Sequence, residues 1–284
     1  MSFRSDNGGN PNGVCRSVAY QGEPGAFSEV AAGRLEPEAR PVPCRTLHEL
    51  FTMVQSSAVE AGVVPVENSL AGSIAETYDL LISHDLFVTG ETTLPVEHCL
   101  LALPGTELTQ IQEVLSHPQA LAQCNDYLVQ LGVECVPYYD TAGAAKHVKR
   151  SGLLHAAAIA SQWAAEVYGL QVLVRGIQSN RDNYTRFYRI ERMERPGGRR
   201  NRTVFAVGLP HCPGSLVTAL SSFSNQGVNL TKIESRPVRA KPWQYIFYLE
   251  YEGHVEDPGM QSALEDLRAR VAMLRILGSF PVEE

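Results

Sequence analysis

A strand pattern followed by a helix pattern, repeated until about residue 190, is the feature that most constrains this 284-residue chain. A strand at Val18-Ala19-Tyr20 runs into the Gly22–Ser28 loop, which predicts a short helix from Glu29 with Ser28 as its cap. Thr46 and Glu49 have capping-box spacing, and Leu47, Leu50, Phe51 and Val54 follow at i, i+3, i+4 and i+7, as an amphipathic helix requires. A buried strand at Gly62–Val66 is followed by a second capping-box pair, Ser73 with Glu76. The helix predicted there has Ile74, Tyr78, Leu81 and Ile82 on its apolar face. An extended stretch, Leu86–Leu103, leads into a second run of the same kind. Its strands lie at Val114–Ser116, Val133–Val136, Ala157–Ala160 and Val172–Val174, with helices between them. Pro118 suits the first position of a Gln119–Leu131 helix, and Thr141 and Ser161 are placed to cap the next two. A last strand, Tyr184–Ile190, returns. Such alternation means a parallel or mixed sheet with helices on its faces. Two runs joined by extended segments predict two lobes, a chain that crosses twice, and a cleft between them.

Beyond a basic Gly/Pro stretch at 195–202, read as a solvated linker, the pattern changes. Strands at Thr203–Leu209, Asn229–Ser235, Gln244–Tyr251 and Leu274–Phe280 enclose helices opened by Pro213 and Pro258, the βαββαβ order of a ferredoxin-like α+β domain. Composition removes several function classes. A net charge of −7 without a basic stripe argues against nucleic acid. No apolar run approaches the roughly 18 residues a membrane helix needs. Six cysteines without Cys-x-x-Cys spacing and no His-x-x-x-His pair argue against zinc and disulfide scaffolds and suit a reducing cytoplasm. The polar, Gly- and Asn-rich first 17 residues read as a disordered tail rather than a signal peptide.

Three segments of the first unit could carry chemistry. The Gly22–Ser28 loop offers backbone N–H groups near a positive helix end, which favours an anion, although a Gly/Pro turn capped by Ser28 accounts for the same residues. Pro65–Ser73 sets Asn68, Ser69 and Ser73 before a helix start, in an anion-binding loop or in an ordinary capped turn. Asn183-Tyr184-Thr185-Arg186-Phe187 puts a hydroxyl and a guanidinium on successive strand residues, whose side chains leave opposite faces of the sheet.

Together and in order, these segments resemble the prephenate dehydratase family from about Val18 to the end. The Gly22–Ser28 loop is similar to its first motif, and Val64–Ser69 with Gly72-Ser73-Ile74 to its second. Ser116–Ala120 and Asp140–Gly143 match further segments, and Thr185-Arg186-Phe187 is its Thr-Arg-Phe signature. Glu234-Ser235-Arg236-Pro237 is its effector motif intact, whereas Gly214-Ser215-Leu216-Val217 has Ser where the family's Gly-Ala-Leu-Val has Ala. Ala26 replaces the family's usual hydroxyl residue, and with the stretch from Ser116 to Cys124 it is similar to plant arogenate dehydratases.

The resemblance implies a periodic architecture with a purpose. Residues 18–194 would form a two-lobed, periplasmic-binding-protein-like α/β catalytic domain, with lobe 1 at about 18–95 and 180–194 and lobe 2 at about 96–179. Residues 203–284 would form a ferredoxin-like ACT domain. It implies decarboxylating dehydration of prephenate, or of arogenate, with Thr185 catalytic and no cofactor or metal. Backbone N–H groups around Ser28 and Asn68-Ser69 would hold carboxylates, with Phe187 as a wall for the ring. Arg186 is a candidate carboxylate clamp by charge and a structural residue by strand alternation. L-Phenylalanine would bind near Gly214, Ser215, Leu216 and Val217 and near Glu234, Ser235, Arg236 and Pro237, at the interface of a homodimer or homotetramer. A solute-binding protein is the competing reading. It leaves Thr185-Arg186-Phe187 and the C-terminal unit unexplained, and it expects a signal peptide. A bifunctional enzyme with a mutase domain would need more than 17 polar residues before the first strand.

Overall fold

The computed structural model describes residues 16–238 and 243–282. Of the tail expected over 1–17, positions 1–15 lie outside the described residues, while Ser17 already begins a strand. The first lobe is built from β1 (Ser17–Gln21), α1 (Phe27–Leu35), β2 (Arg40–Cys44), α2 (Leu47–Gln55), β3 (Ala61–Asn68), β4 (Gly72–Ser73), α3 (Ala75–Ser83) and β5 (Phe87–Pro95). The second contains β6 (Cys99–Ala102), β7 (Glu113–Ser116), α4 (Pro118–Gln123), α5 (Asn125–Leu131), β8 (Glu134–Pro137), α6 (Thr141–Ser151), β9 (Ala156–Ala160), α7 (Gln162–Tyr168) and β10 (Gln171–Val174). The chain then returns as β11 (Tyr184–Glu191), which inserts antiparallel between β3 and β5. The first sheet runs β2-β1-β3-β11-β5 and the second β10-β6-β9-β7-β8, both mixed, as the alternating pattern predicts.

Local chemistry explains where the predicted caps hold and where they do not. Thr46 Oγ1 accepts from the Glu49 N–H at 3.1 Å, and Leu47, Leu50, Phe51 and Val54 are all buried. By contrast α1 begins at Phe27, with Ala26 in the cap position, so Ser28 lies within the first turn and does not cap it. Ser73 belongs to β4, and Ile74, which has no side-chain acceptor, precedes α3. The Thr141 hydroxyl is likewise released, because Asp140 Oδ1 accepts the Gly143 N–H at 2.7 Å in its stead. The helix expected over Gln119–Leu131 is two helices broken at Cys124. Its Gln123 carbonyl accepts from the Ser179 N–H of the returning segment, which takes that group out of the helix ladder.

The two crossings lie side by side, Val96 N–H donating to Asn183 O at 2.8 Å and Ile177 N–H to His98 O at 3.1 Å. Away from them the lobes touch directly. Glu23 accepts from Lys146 at 2.6 Å and from Tyr139 at 2.9 Å, and Trp163 Nε1 donates to Glu29 at 2.8 Å. Gly25 makes the approach closest: its φ is +95°, and a Cβ there would stand 2.8 Å from Ala164 Cα, so only glycine serves.

β12 (Asn201–Gly208), α8 (Ser215–Ser224), β13 (Leu230–Pro237), β14 (Tyr245–Glu252), α9 (Pro258–Arg268) and β15 (Met273–Pro281) complete the chain as the expected βαββαβ unit, with strand order β13-β14-β12-β15. Its helices cover one sheet face. The other face packs on the first lobe, so that Val204, Tyr248, Leu277 and Phe280 share one core with Val66, Val88 and Tyr188. A Cβ on Gly278 would collide with Val88 O, so β15 and β5 meet backbone to backbone. The basic stretch is correspondingly tied down at its ends. Arg195 pairs with Glu191 at 2.6 Å and Glu36 at 2.8 Å, and Arg202, already in β12, pairs with Glu91 at 2.9 Å. The expectation of solvated arginines fails there because buried carboxylates lie within reach.

Candidate active site

Between the lobes lies a cleft of about 370 Å³, with walls from both. Phe27 and Ser28 come from α1, Asn68 and Ala71 through Ile74 from the β3–β4 hairpin, and Thr185 and Phe187 from β11. His98 comes from a crossing segment, His117, Gln119 and Gln123 from the start and end of α4, and Thr141 from α6. Among the described residues no Asp, Glu, Lys or Arg lines it.

A chain of amides organises these groups, and its polarity follows from two backbone donors. The N–H groups of Leu70 and Ala71 donate to Asn68 Oδ1 at 3.1 and 2.9 Å, which fixes the side-chain amide with its nitrogen turned inward. Asn68 Nδ2 then donates to Asn183 Oδ1 at 2.7 Å and approaches Tyr184 O and Thr185 Oγ1, both at 3.0 Å. An amide nitrogen has no lone pair to offer, so the Thr185 hydroxyl proton cannot point at Asn68 and is left for the cleft. Asn183, nearly completely buried, passes the polarity on, its Nδ2 donating to Gln123 Oε1 at 3.1 Å.

The sequence-predicted residues divide. Ser28, Asn68, Thr185 and Phe187 converge on the cleft. Phe27 N–H and Ser28 N–H, at the open N-terminus of α1, make no hydrogen bond among the described residues. Ser69 instead braces its own loop: its hydroxyl donates to Asp182 O at 2.8 Å and its N–H to Tyr184 O at 2.8 Å. With the Leu70 and Ala71 donors also spent, the Asn68-Ser69 backbone is not free to hold a carboxylate. Arg186 leaves the opposite face of β11. It donates bidentately to Glu250 of β14 at 2.8 and 2.7 Å and reaches Glu67 at 3.0 Å, which removes it from the cleft and from the clamp role its charge suggests. Tyr188, on that same face, donates to Glu250 at 2.6 Å. Burial pushes the Glu250 carboxyl upward, but Arg186 and Tyr188 outweigh it and hold the group below the usual carboxylate range.

The effector segments lie on two different elements, the start of α8 and the length of β13. Gly214 sits at the start of α8 with φ +82°, Ser215 Oγ bonds back to Cys212 O at 2.9 Å, and Val217 is exposed on that helix. Leu216 lies in the same turn. Along β13 the side chains alternate, with Ser235 and Pro237 exposed and Glu234 and Arg236 turned toward lobe 1. There Ser73 Oγ donates to Glu234 at 2.8 Å, and Arg236 stands 3.6 Å from Asp79. The sequence did not single out His98 or Gln123, and it offered Asn183 and Thr141 only as members of the Asn183–Phe187 and Asp140–Gly143 segments, without a place in the site. For Gln123 the available signal was its place in the stretch from Ser116 to Cys124; His98 had none.

The family model described as prephenate dehydratase matches residues 18–195. Arogenate dehydratase/prephenate dehydratase 2, chloroplastic, of Arabidopsis thaliana is 44% identical over 283 residues, covering 96% of this chain and 74% of that protein. Arogenate dehydratase 1 of Petunia hybrida is 42% identical, with 96% and 68% covered. A solved prephenate dehydratase from Arthrobacter aurescens, in complex with L-Phe, superposes with a TM-score of 0.86 at 31% identity, covering 93% of this chain and 89% of that one. A structure titled GqqA, a novel type of quorum quenching acylases, gives a TM-score of 0.88 at 35% identity, with 94% and 98% covered.

Proposed function

This chain belongs to the prephenate dehydratase family, and from that premise we propose that its cleft removes CO₂ and water from prephenate to leave phenylpyruvate. The reading is carried by one observation: Asn68 Nδ2 approaches Thr185 Oγ1 and turns the hydroxyl proton outward. The substrate is a cyclohexadiene with a ring carboxylate opposite a ring hydroxyl. As CO₂ leaves, the electron pair of the broken C–C bond enters the ring, and the C–O bond opposite breaks to complete the benzene. Thr185 donates a hydrogen bond to that departing oxygen, which leaves as hydroxide and takes its second proton from solvent. Neutral donors hold the dianion, namely the free N–H groups of Phe27 and Ser28 at a helix N-terminus and the hydroxyls of Ser28 and Thr141. Phe187 is a wall for the ring. Aromatisation supplies most of the driving force, so an uncharged cleft suffices, and no cofactor or metal enters the reaction.

Arogenate is the second reading, favoured by the names of the two plant relatives. It would give phenylalanine directly. Purified protein assayed with each substrate in parallel, following phenylpyruvate and phenylalanine, separates the two. Turnover that is lost in Thr185→Ala supports the elimination, and absence of turnover of both by folded protein would overturn it. An acylase would need an activated nucleophile, and none of the hydroxyl bonds described in the cleft is made to a histidine.

The C-terminal unit is proposed as an ACT domain that senses L-phenylalanine between copies of a homodimer or homotetramer. Ile233 on the edge strand β13 and Tyr245 at the start of β14, with Trp243, leave apolar surface exposed for such a contact. Glu234, which accepts from Ser73 Oγ, gives the effector motif a direct route to the cleft wall. The compartment is proposed to be a reducing one, the cytoplasm in the first instance; all five described cysteines are free.

A further inference from the structure

His98 is nearly completely buried at the crossing between the lobes, and no motif of the sequence accounts for it. Its backbone is fixed on both sides, the N–H donating to Gln178 Oε1 at 2.9 Å and the carbonyl accepting from Ile177 N–H at 3.1 Å. Its ring stands edge-on to Phe27 of α1, with centroids 5.9 Å apart. Its Nε2 lies 2.9 Å from Gln123 Oε1, and its Nδ1 has no partner. Which nitrogen carries the proton follows from the amide chain. The backbone donors of Leu70 and Ala71 fix Asn68, Asn68 fixes Asn183, and Asn183 presents an N–H to Gln123. Gln123 therefore offers oxygen on that side, and only an Nε2–H tautomer can bond to it. The unpartnered Nδ1 is then a lone pair, a cheaper group to bury alone than an N–H.

We propose that His98 is a positioning residue for the elimination: as a neutral Nε2–H donor it locks the Gln123 carboxamide with its NH₂ facing the cleft. Two donors from opposite sides, His98 and Asn183, saturate Gln123 Oε1, and Gln123 Nε2 makes no hydrogen bond among the described residues. The carboxamide thus becomes a fixed donor of two hydrogen bonds to a carboxylate or to the leaving oxygen. Asn183 lies on the segment returning to lobe 1 and Gln123 in lobe 2, so the lock also sets one lobe against the other. Burial lowers the pKa of the imidazole, opposed by the Gln123 bond, and no charged group from α1, α4 or the crossing segments enters its interactions. An imidazole held in this way is biased toward its neutral, Nε2–H donor form.

The inference rests on the elimination proposed above, but its first test does not need activity. In the wild-type protein, ¹⁵N spectra of His98 should show a neutral ring protonated at Nε2 between pH 6 and 8. A ring protonated at Nδ1, or titrating in that range, would overturn the proposal whatever the enzyme turns over. Kinetics supply the second test. His98→Leu should lower kcat by about 10–100-fold, the scale of a misplaced catalytic group, with a smaller change in KM. His98→Gln, whose amide nitrogen can reach the Nε2 position, should recover most of that loss and keep the wild-type pH profile. Undiminished kcat in His98→Leu overturns the proposal. So does a His98→Gln variant that is as slow as Leu and has lost a limb of the pH profile, since His98 would then exchange protons itself. If His98→Leu does not fold, the spectra and the Gln variant still decide.

Discussion

The two faces of β11 are built from neighbouring residues and from opposite chemistry. On one face Thr185 and Phe187 look into a cleft lined without charge, where Asn68, Asn183, Gln123 and His98 form a neutral chain of donors and acceptors. On the other, Arg186 and Tyr188 enter a charged cluster with Glu250, Glu67, Glu91, Arg202 and Lys232 at the junction with the C-terminal sheet. The difference reflects what each face must hold. A site that receives a dianion and releases hydroxide works with oriented dipoles, since fixed carboxylates would repel the substrate. A permanent junction tolerates buried ions if every charge is paired, and loses heavily when one partner goes.

Breaking each face in turn should separate activity from stability. The largest effect expected is on kcat in Thr185→Ala, a fall of about 100- to 10,000-fold, the range of general-acid assistance, with an unchanged Tm. Calorimetry of that variant checks the second half, and a large drop in Tm would mean that the hydroxyl is structural. On the charged face, Arg186→Met should cost about 3–5 kcal/mol by leaving Glu250 buried and unpaired. Denaturant titration reads this, and the double variant Arg186→Met/Glu250→Leu should recover much of the loss, because no unpaired ion remains. If Arg186→Met instead raised KM with its stability intact, the residue would be a substrate clamp after all.

Smaller effects sharpen the contrast through pH. Glu250 is held below its unfolded value, so it stabilises the folded protein at neutral pH, and that contribution fades as pH falls through the carboxylate range. Glu91, raised by burial, acts in the opposite direction and offsets part of it. His98 is also depressed, so stability should begin to decline below about 6.5, the ordinary histidine value, well before the carboxylates act. Denaturation midpoints measured from pH 8 to 4 should show two steps, and His98→Gln should remove the first alone. The smallest change expected is in Ser73→Ala. Losing its bond to Glu234 should leave phenylalanine binding, measured by calorimetry, within about threefold of wild type while weakening inhibition of turnover.

Much of this architecture was legible locally. Alternating patterns gave two mixed sheets and a βαββαβ unit, and the Thr46 box with its apolar stripe gave α2 almost residue for residue. Strand alternation alone set Thr185 and Arg186 on opposite faces, although it could not say which face was the cleft. Errors gathered where a tertiary partner outbid a local one. Ser73 bonds to Glu234, 161 positions away, instead of capping α3, and the Gln123 carbonyl leaves its helix for Ser179.

Short-range periodicity, caps and turns belong to the sequence because they depend on residues within a few positions of one another. They settled the class of fold and the order of its elements, while the family resemblance of the Thr-Arg-Phe segment made Thr185 the residue to watch. Only the tertiary structure decided what surrounds that residue. The bonds joining Asn68 to Asn183 and His98 to Gln123 span 115 and 25 positions, and that between Arg186 and Glu250 spans 64. An isolated histidine or glutamine leaves no periodic trace. Its role comes from the direction in which a distant neighbour points a hydrogen, and that direction exists only once the chain has folded.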